Sequence, residues 1–153
     1  MTTGSSSVVV AVLDTGVRFD HPDLANKLIS PGYSMVAEGT RAGYPGGGRT
    51  ASASDLGDWL TQAEITANPT LYKDCEVQST SSWHGTKVAG ILGAQSDNGV
   101  GMASVAWAPR LLPVRVLGKC GGYDSDIIAG MRCAAGLSVP GVTPLSSTQT
   151  ARV

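Results

Sequence analysis

The sequence predicts an α/β fold: a three-layer, doubly wound, mostly parallel sheet, carried only through its first few strands. Three observations predict it. Val8-Val9-Val10-Ala11-Val12-Leu13 is an unbroken apolar run of the length of a strand buried on both faces. Downstream, helix-period and strand-like segments alternate, as in parallel sheets with crossover helices. The packing material is small, with 20 glycines and only 5% aromatic residues, which suits helices lying close on a sheet better than a helical bundle.

The first strand stops on Asp14-Thr15-Gly16, at the carboxyl end where open α/β sheets keep their ligand crevice. Asp14 is therefore a candidate functional carboxylate. A turn-forming Asp is the competing reading, and this stretch alone leaves both open. Pro22 holds His21 out of the helical region, so the segment Asp20 to Leu24 is a turn, and residues 25–28 add at most one helical turn. Leu28 to Met35, broken at Pro31-Gly32, is at most a short strand. Residues 36–82 read mainly as loop, with Trp59, Ile65 and Leu71 as anchors, and a loop that long inside a compact domain is usually functional.

Order returns at Trp83-His84-Gly85-Thr86-Lys87-Val88-Ala89-Gly90. Val88, Ile91 and Leu92 fall at helical spacing, while Gly85, Ala89, Gly90 and Gly93 allow a close approach to a sheet. His84 opens this helix. The dipole there favours the neutral imidazole a general base requires, and Thr86 can bond back to the helix end. A lone surface histidine is the alternative. Leu111 to Leu117 is a second apolar run, whose Pro113 places the regular strand at Val114 to Leu117 or at an edge. Asp124 or Ser125 caps a second helix to about Leu137, with Ile127, Ile128, Met131, Ala134 and Ala135 as its inner face. Residues 138–153 show no periodicity and read as a frayed tail.

A net charge of -1 offers no basic footprint for nucleic acid. No apolar run nears the roughly 18 residues of a membrane span, and Met1 to Ser7 has no export-signal pattern. Of the three cysteines, Cys75 and Cys120 lie in polar, glycine-rich loops and Cys133 in an apolar helical pattern. Pairing the loop cysteines or leaving three free thiols are both compatible with the count.

Taken in order, Val12-Leu13-Asp14-Thr15-Gly16-Val17 with Asp20-His21-Pro22-Asp23-Leu24 resembles the aspartate region of the subtilisin-like serine proteases. His84-Gly85-Thr86-Lys87-Val88-Ala89-Gly90 resembles their histidine region. Val114-Arg115-Val116-Leu117-Gly118 with Gly121-Gly122-Tyr123 resembles the strand and loop that follow. The likeness spans about residues 3–142 and is nearest to secreted, disulfide-containing bacterial subtilases. It implies peptide-bond hydrolysis by an Asp-His-Ser triad, with Asp14 orienting the base and His84 moving the proton. It implies an edge at Gly121, Gly122 and Tyr123 for an extended peptide or protein substrate, a Cys75–Cys120 disulfide, secretion, and no cofactor for catalysis. Asp23 and Asp97 stand where many members bind structural calcium, with a turn role the equal alternative.

The departures are Lys87 for a usual His, Ser104 for Gly and Cys133 for Trp. No Gly-Thr-Ser-Met-Ala nucleophile segment, oxyanion Asn or second substrate strand occurs in the 153 residues. Residues 1–142 are then the N-terminal part of a catalytic domain, and 143–153 a disordered tail of the kind a frameshift leaves. The expectation is a chain inactive alone, with a missing C-terminal fragment as a candidate partner. Two other readings are a half-site aspartic protease built on Asp14-Thr15-Gly16 and a non-enzymatic truncated chain acting by association.

Overall fold

A computed structural model describes residues 3–44 and 47–151. Met1, Thr2, Pro45, Gly46, Arg152 and Val153, which include part of the glycine loop and of the tail, lie outside the described residues. The sheet is built from β1 (Val9–Asp14), β2 (Tyr33–Ser34) and β3 (Arg110–Arg115), in the order β1-β3-β2 with both pairings parallel. Helices α3 (His84–Gly93) and α4 (Asp124–Ala134) cover it. Alternate strand residues feed different clusters: Leu112 and Val114 pack with Ala129 and Cys133 of α4, while Val12 and Leu111 pack with Ala89 of α3. That alternation places the helices on opposite faces and gives the expected layered α/β architecture.

The second strand differs from expectation. β3 begins at Arg110, contains Pro113, and is central rather than an edge. The side of β3 that each residue addresses explains this. Leu111 N donates to Lys27 O, and Arg115 O accepts from Met35 N, so odd positions face the β2 side. Pro113 therefore directs its missing N–H to the gap between the bridge at Leu28 and the start of β2 at Tyr33. Ser30 to Gly32 fills that gap. A Cβ on Gly32, whose φ is +63°, would come within 2.4 Å of Pro113 O.

The inner faces of the helices also turned out differently. On α4 the buried residues are Asp126, Ala129, Gly130, Cys133 and Ala134, whereas Ile128 and Met131 are 56% and 58% exposed. On α3 they are Gly85, Thr86, Ala89 and Gly93, with Ile91 exposed. In both helices the smallest side chains face the sheet. The separations explain why: a Cβ on Gly130 would lie 2.5 Å from Val116 Cγ1, and one on Gly93 3.1 Å from Leu111 Cδ2. Hydrophobic periodicity picks the greasiest stripe, but at this closeness shape selects the narrowest one.

The long loop carries α1 (Gly39–Ala42) and α2 (Gln62–Ala67), the latter opened by a reciprocal Thr61–Glu64 capping box. Ala42, Ala53, Leu60 and Tyr72 are among its fully buried residues, whereas Trp59 is 39% exposed. Cys75 and Cys120 are disulfide-bonded across 45 residues, and Cys133 is free and buried. Replacing both bonded cysteines by Ser is expected to lower the unfolding free energy by about 2–4 kcal/mol, read as a lower urea midpoint. Residues 138–151 form turns against the α4 side, with Val139 buried and Ala151 N donating to Ala134 O at 2.9 Å.

Candidate active site

Asp14 is the last residue of β1, 7% exposed. His84 is the first residue of α3, its side chain 62% exposed. The fold brings these residues together across 70 positions: His84 Nδ1 lies 2.8 Å from Asp14 Oδ2 and 2.9 Å from Oδ1. An ionised carboxylate only accepts, so Nδ1 carries the proton and Nε2 remains as the ring's acceptor. Asp14 Oδ1 also accepts from Thr15 N at 2.7 Å. One element of the pair is thus anchored by backbone, and the other opens toward solvent.

Gly85 makes this approach possible. A Cβ there would sit 2.1 Å from Gly16 O and 3.1 Å from Asp14 Cβ. Just before His84, Trp83 holds a left-handed backbone, φ 51°, a conformation that a bulky residue adopts only under constraint. The Arg18 guanidinium stacks over its indole at 5.3 Å. Thr86 does not bond back to its own helix end; its Oγ1 accepts from Arg18 N at 3.0 Å. Ser82 is engaged as well, donating to Asp58 Oδ2 at 2.7 Å and accepting from His84 N at 3.2 Å.

Beneath the pair lies a charge the sequence reading did not assign. Arg115, 1% exposed, donates to Thr15 O at 3.0 Å and to Ala42 O at 2.6 Å, with its guanidinium over the Tyr44 ring. Burial pushes this guanidinium below its ordinary value. Asp55, also buried, accepts from Thr15 Oγ1 at 2.7 Å and from Gly57 N at 2.9 Å. Arg115 was detectable as the one charge inside the run Leu111 to Leu117. Asp55 had no local signal, because its partners come from distant segments.

The second group of candidates is Gly121, Gly122 and Tyr123. Gly118 and Gly121 exchange backbone bonds at 2.9 and 3.1 Å across a turn whose other members include Cys120 at φ 61°. A Cβ on Gly122 would meet Val116 O at 2.4 Å. Tyr123 is 46% exposed and precedes α4 as its N-cap, so neither Asp124 nor Ser125 caps that helix. Arg41 stacks on Tyr123 at 4.6 Å and donates to Lys119 O and Cys120 O. Beside them the Lys119 ammonium, over the Trp59 ring, pairs with Glu64.

Lys119, with the Thr61 backbone N–H, holds the Glu64 carboxyl at about 2, down from an ordinary 4.5. The folded value lies below the unfolded one. The stabilisation is therefore present above pH 4.5 and is lost as pH falls toward 2. Acid titration of stability is expected to show this loss, and Glu64→Gln to flatten it between those limits.

Asp23 and Asp97 sit in different local settings. Asp23 Oδ1 accepts from Asn98 Nδ2 at 2.9 Å and Oδ2 from Met102 N at 3.1 Å. These two donors hold its carboxyl below the ordinary value. Each of these oxygens keeps a second lone pair, so the bonds position the carboxylate without closing it to an oxygen-seeking cation. Asp97 occupies a left-handed position, φ 60°, in the turn before Gly99. Among the described residues, no three His, Cys, Asp or Glu side chains are grouped to hold a metal.

The family model described as the subtilase family matches residues 5–153. Over 135 residues the chain is 43% identical to the "Extracellular basic protease" of Dichelobacter nodosus, covering 88% of this chain and 21% of that protein. Over 140 residues it is 43% identical to the "Extracellular protease" of Xanthomonas campestris pv. campestris, covering 92% and 22%. A solved structure described as proteases from Pseudoalteromonas arctica PAMC 21717 is similar at TM-score 0.81 and 42% identity, covering 95% of this chain and 40% of that one. The chain thus spans about a fifth of the length of these curated relatives. Among the described residues, no helix is long and apolar enough to cross a membrane.

Proposed function

We propose, from the premise that this chain belongs to the subtilase family, that it supplies the Asp–His half of a secreted serine endopeptidase's catalytic centre. The observation that carries the reading is the Asp14 carboxylate meeting His84 Nδ1 at 2.8 and 2.9 Å. Asp14 fixes the tautomer and stabilises the imidazolium. His84 Nε2 takes the proton of an attacking serine hydroxyl and returns it to the leaving amine. Gly121, Gly122 and Tyr123 present the edge along which an extended peptide lies. No cofactor enters this chemistry, and Asp23 and Asp97 take no part in it.

The 153 residues hold no Gly-Thr-Ser-Met-Ala segment, and triad members act as a unit. A polypeptide limited to these residues is therefore inactive in this proposal, and the serine arrives on further chain or on a separate C-terminal fragment. The test has two arms. A fluorophosphonate probe should leave the 153-residue chain unlabelled. It should label one serine when residues 1–142 are continued by the rest of a subtilase domain from an extracellular relative, and that hybrid should cleave casein. Labelling of the short chain, or a folded hybrid without hydrolysis, would sink the proposal. The aspartic-protease reading is disfavoured because the Asp14 carboxylate is engaged by the His84 imidazole, a contact that mechanism does not use.

A further inference from the structure

We infer that Thr15 and Asp55 together form a cap, delivered from outside the helix, that holds the start of α3 and so positions His84 against Asp14. The inference rests on the proposed Asp14–His84 pair and assigns two positioning residues to it. A helix leaves its first N–H groups without intrahelical partners, and a side chain at the N-cap normally receives one. The N-cap of α3 is Trp83, which makes no side-chain cap bond. Gly85 N donates instead to Thr15 Oγ1 at 3.1 Å. Thr15 is the residue after Asp14, just as Gly85 is the residue after His84. The Asp14–His84 contact is therefore repeated one position along by a second, wholly buried one.

Asp55 gives this contact its polarity. Its carboxylate can only accept, so the Thr15 hydroxyl must point its proton there, at 2.7 Å. That leaves a Thr15 lone pair facing Gly85 N. Asp55 is itself held by Gly57 N on its other oxygen, and it is 5% exposed. The buried chain Gly85 N–H to Thr15 to Asp55 fixes α3 relative to β1 where a small shift would separate the imidazole from its carboxylate.

The test is proton NMR on the 153-residue chain, following exchange of the Gly85 amide and of the His84 Nδ1–H. In the wild type both should be protected. Thr15→Val keeps the shape and removes both bonds. It should expose the Gly85 amide and speed His84 Nδ1–H exchange roughly ten-fold, the scale of one buried hydrogen bond. Thr15→Ser should restore both. Asp55→Asn can satisfy only one of its two donors and should speed His84 exchange to a lesser degree. If Thr15→Val folds but exchanges His84 Nδ1–H at the wild-type rate, the cap is structural only and the inference falls. If Thr15→Val does not fold, Asp55→Asn decides by the same comparison. Wild-type chain with a protected His84 Nδ1–H and an unprotected Gly85 amide would overturn the cap alone. A protected Gly85 amide without any His84 Nδ1–H signal would overturn the catalytic pair, and the cap with it.

Discussion

Replacing His84 by Ala in a chain that carries a complete subtilase domain is expected to lower kcat for peptide hydrolysis by about 10⁴- to 10⁶-fold, with little change in KM. His84 would contribute only as a base, and its side chain is not part of the Gly121–Tyr123 edge that would hold substrate. The loss should therefore appear in the chemical step alone. Asp14→Asn should act in the same direction through the tautomer. An amide that donates toward Nδ1 leaves the wrong nitrogen protonated, for a loss of about 10⁴-fold. Steady-state kinetics on the two variants, with an unchanged melting temperature as control, checks both. A His84→Ala hybrid that retained a tenth of wild-type kcat would remove His84 from the mechanism.

The second large effect is steric. Gly85→Ala would drive a Cβ to 2.1 Å from Gly16 O, and the neighbour is backbone, not a side chain that can swing away. Either the start of α3 or the Asp14–Gly16 turn must move by about 1 Å. Overpacking of this kind costs about 1–3 kcal/mol. The same displacement opens the 2.8 Å contact between His84 and Asp14, and a misplacement of that size costs about 10²-fold in rate. Urea denaturation of the 153-residue chain reads the first effect, and kcat of the hybrid reads the second. An unperturbed midpoint would show that the close approach is absent in solution. Gly90→Ala, where a new Cβ meets nothing within 4 Å, is the matched control.

Much of the site was legible because its residues end regular elements. A buried run of valines that stops on Asp14, and a helical pattern that starts on His84, are both local signals. The geometry adds that the two ends meet. What the sequence could not reveal depends on how closely the layers lie. Apolar spacing put Ile128 and Met131 on the inner face of α4 together with Ala134, but the buried positions are Asp126, Ala129, Gly130, Cys133 and Ala134, and Gly130 lies too close to Val116 for a larger side chain. Pro113 looked like an edge residue because the gap beside Ser30 to Gly32 that accommodates it belongs to another part of the chain. Asp55 was hidden for a similar reason: its use is defined by Thr15, 40 residues away.

The Cys75–Cys120 bond lies directly ahead of Gly121, so the long excursion carrying α2 is fastened to the rim where substrate would bind. Such bonds persist in oxidising surroundings and are rare where glutathione keeps thiols reduced. With the bond reduced, the excursion would be tied to the rim by noncovalent contacts, among them Arg41 to Lys119 O and Cys120 O and the Lys119–Glu64 pair. In the secreted setting proposed above, the edge would be complete only once this one covalent link has closed, which ties its assembly to the redox state of its surroundings.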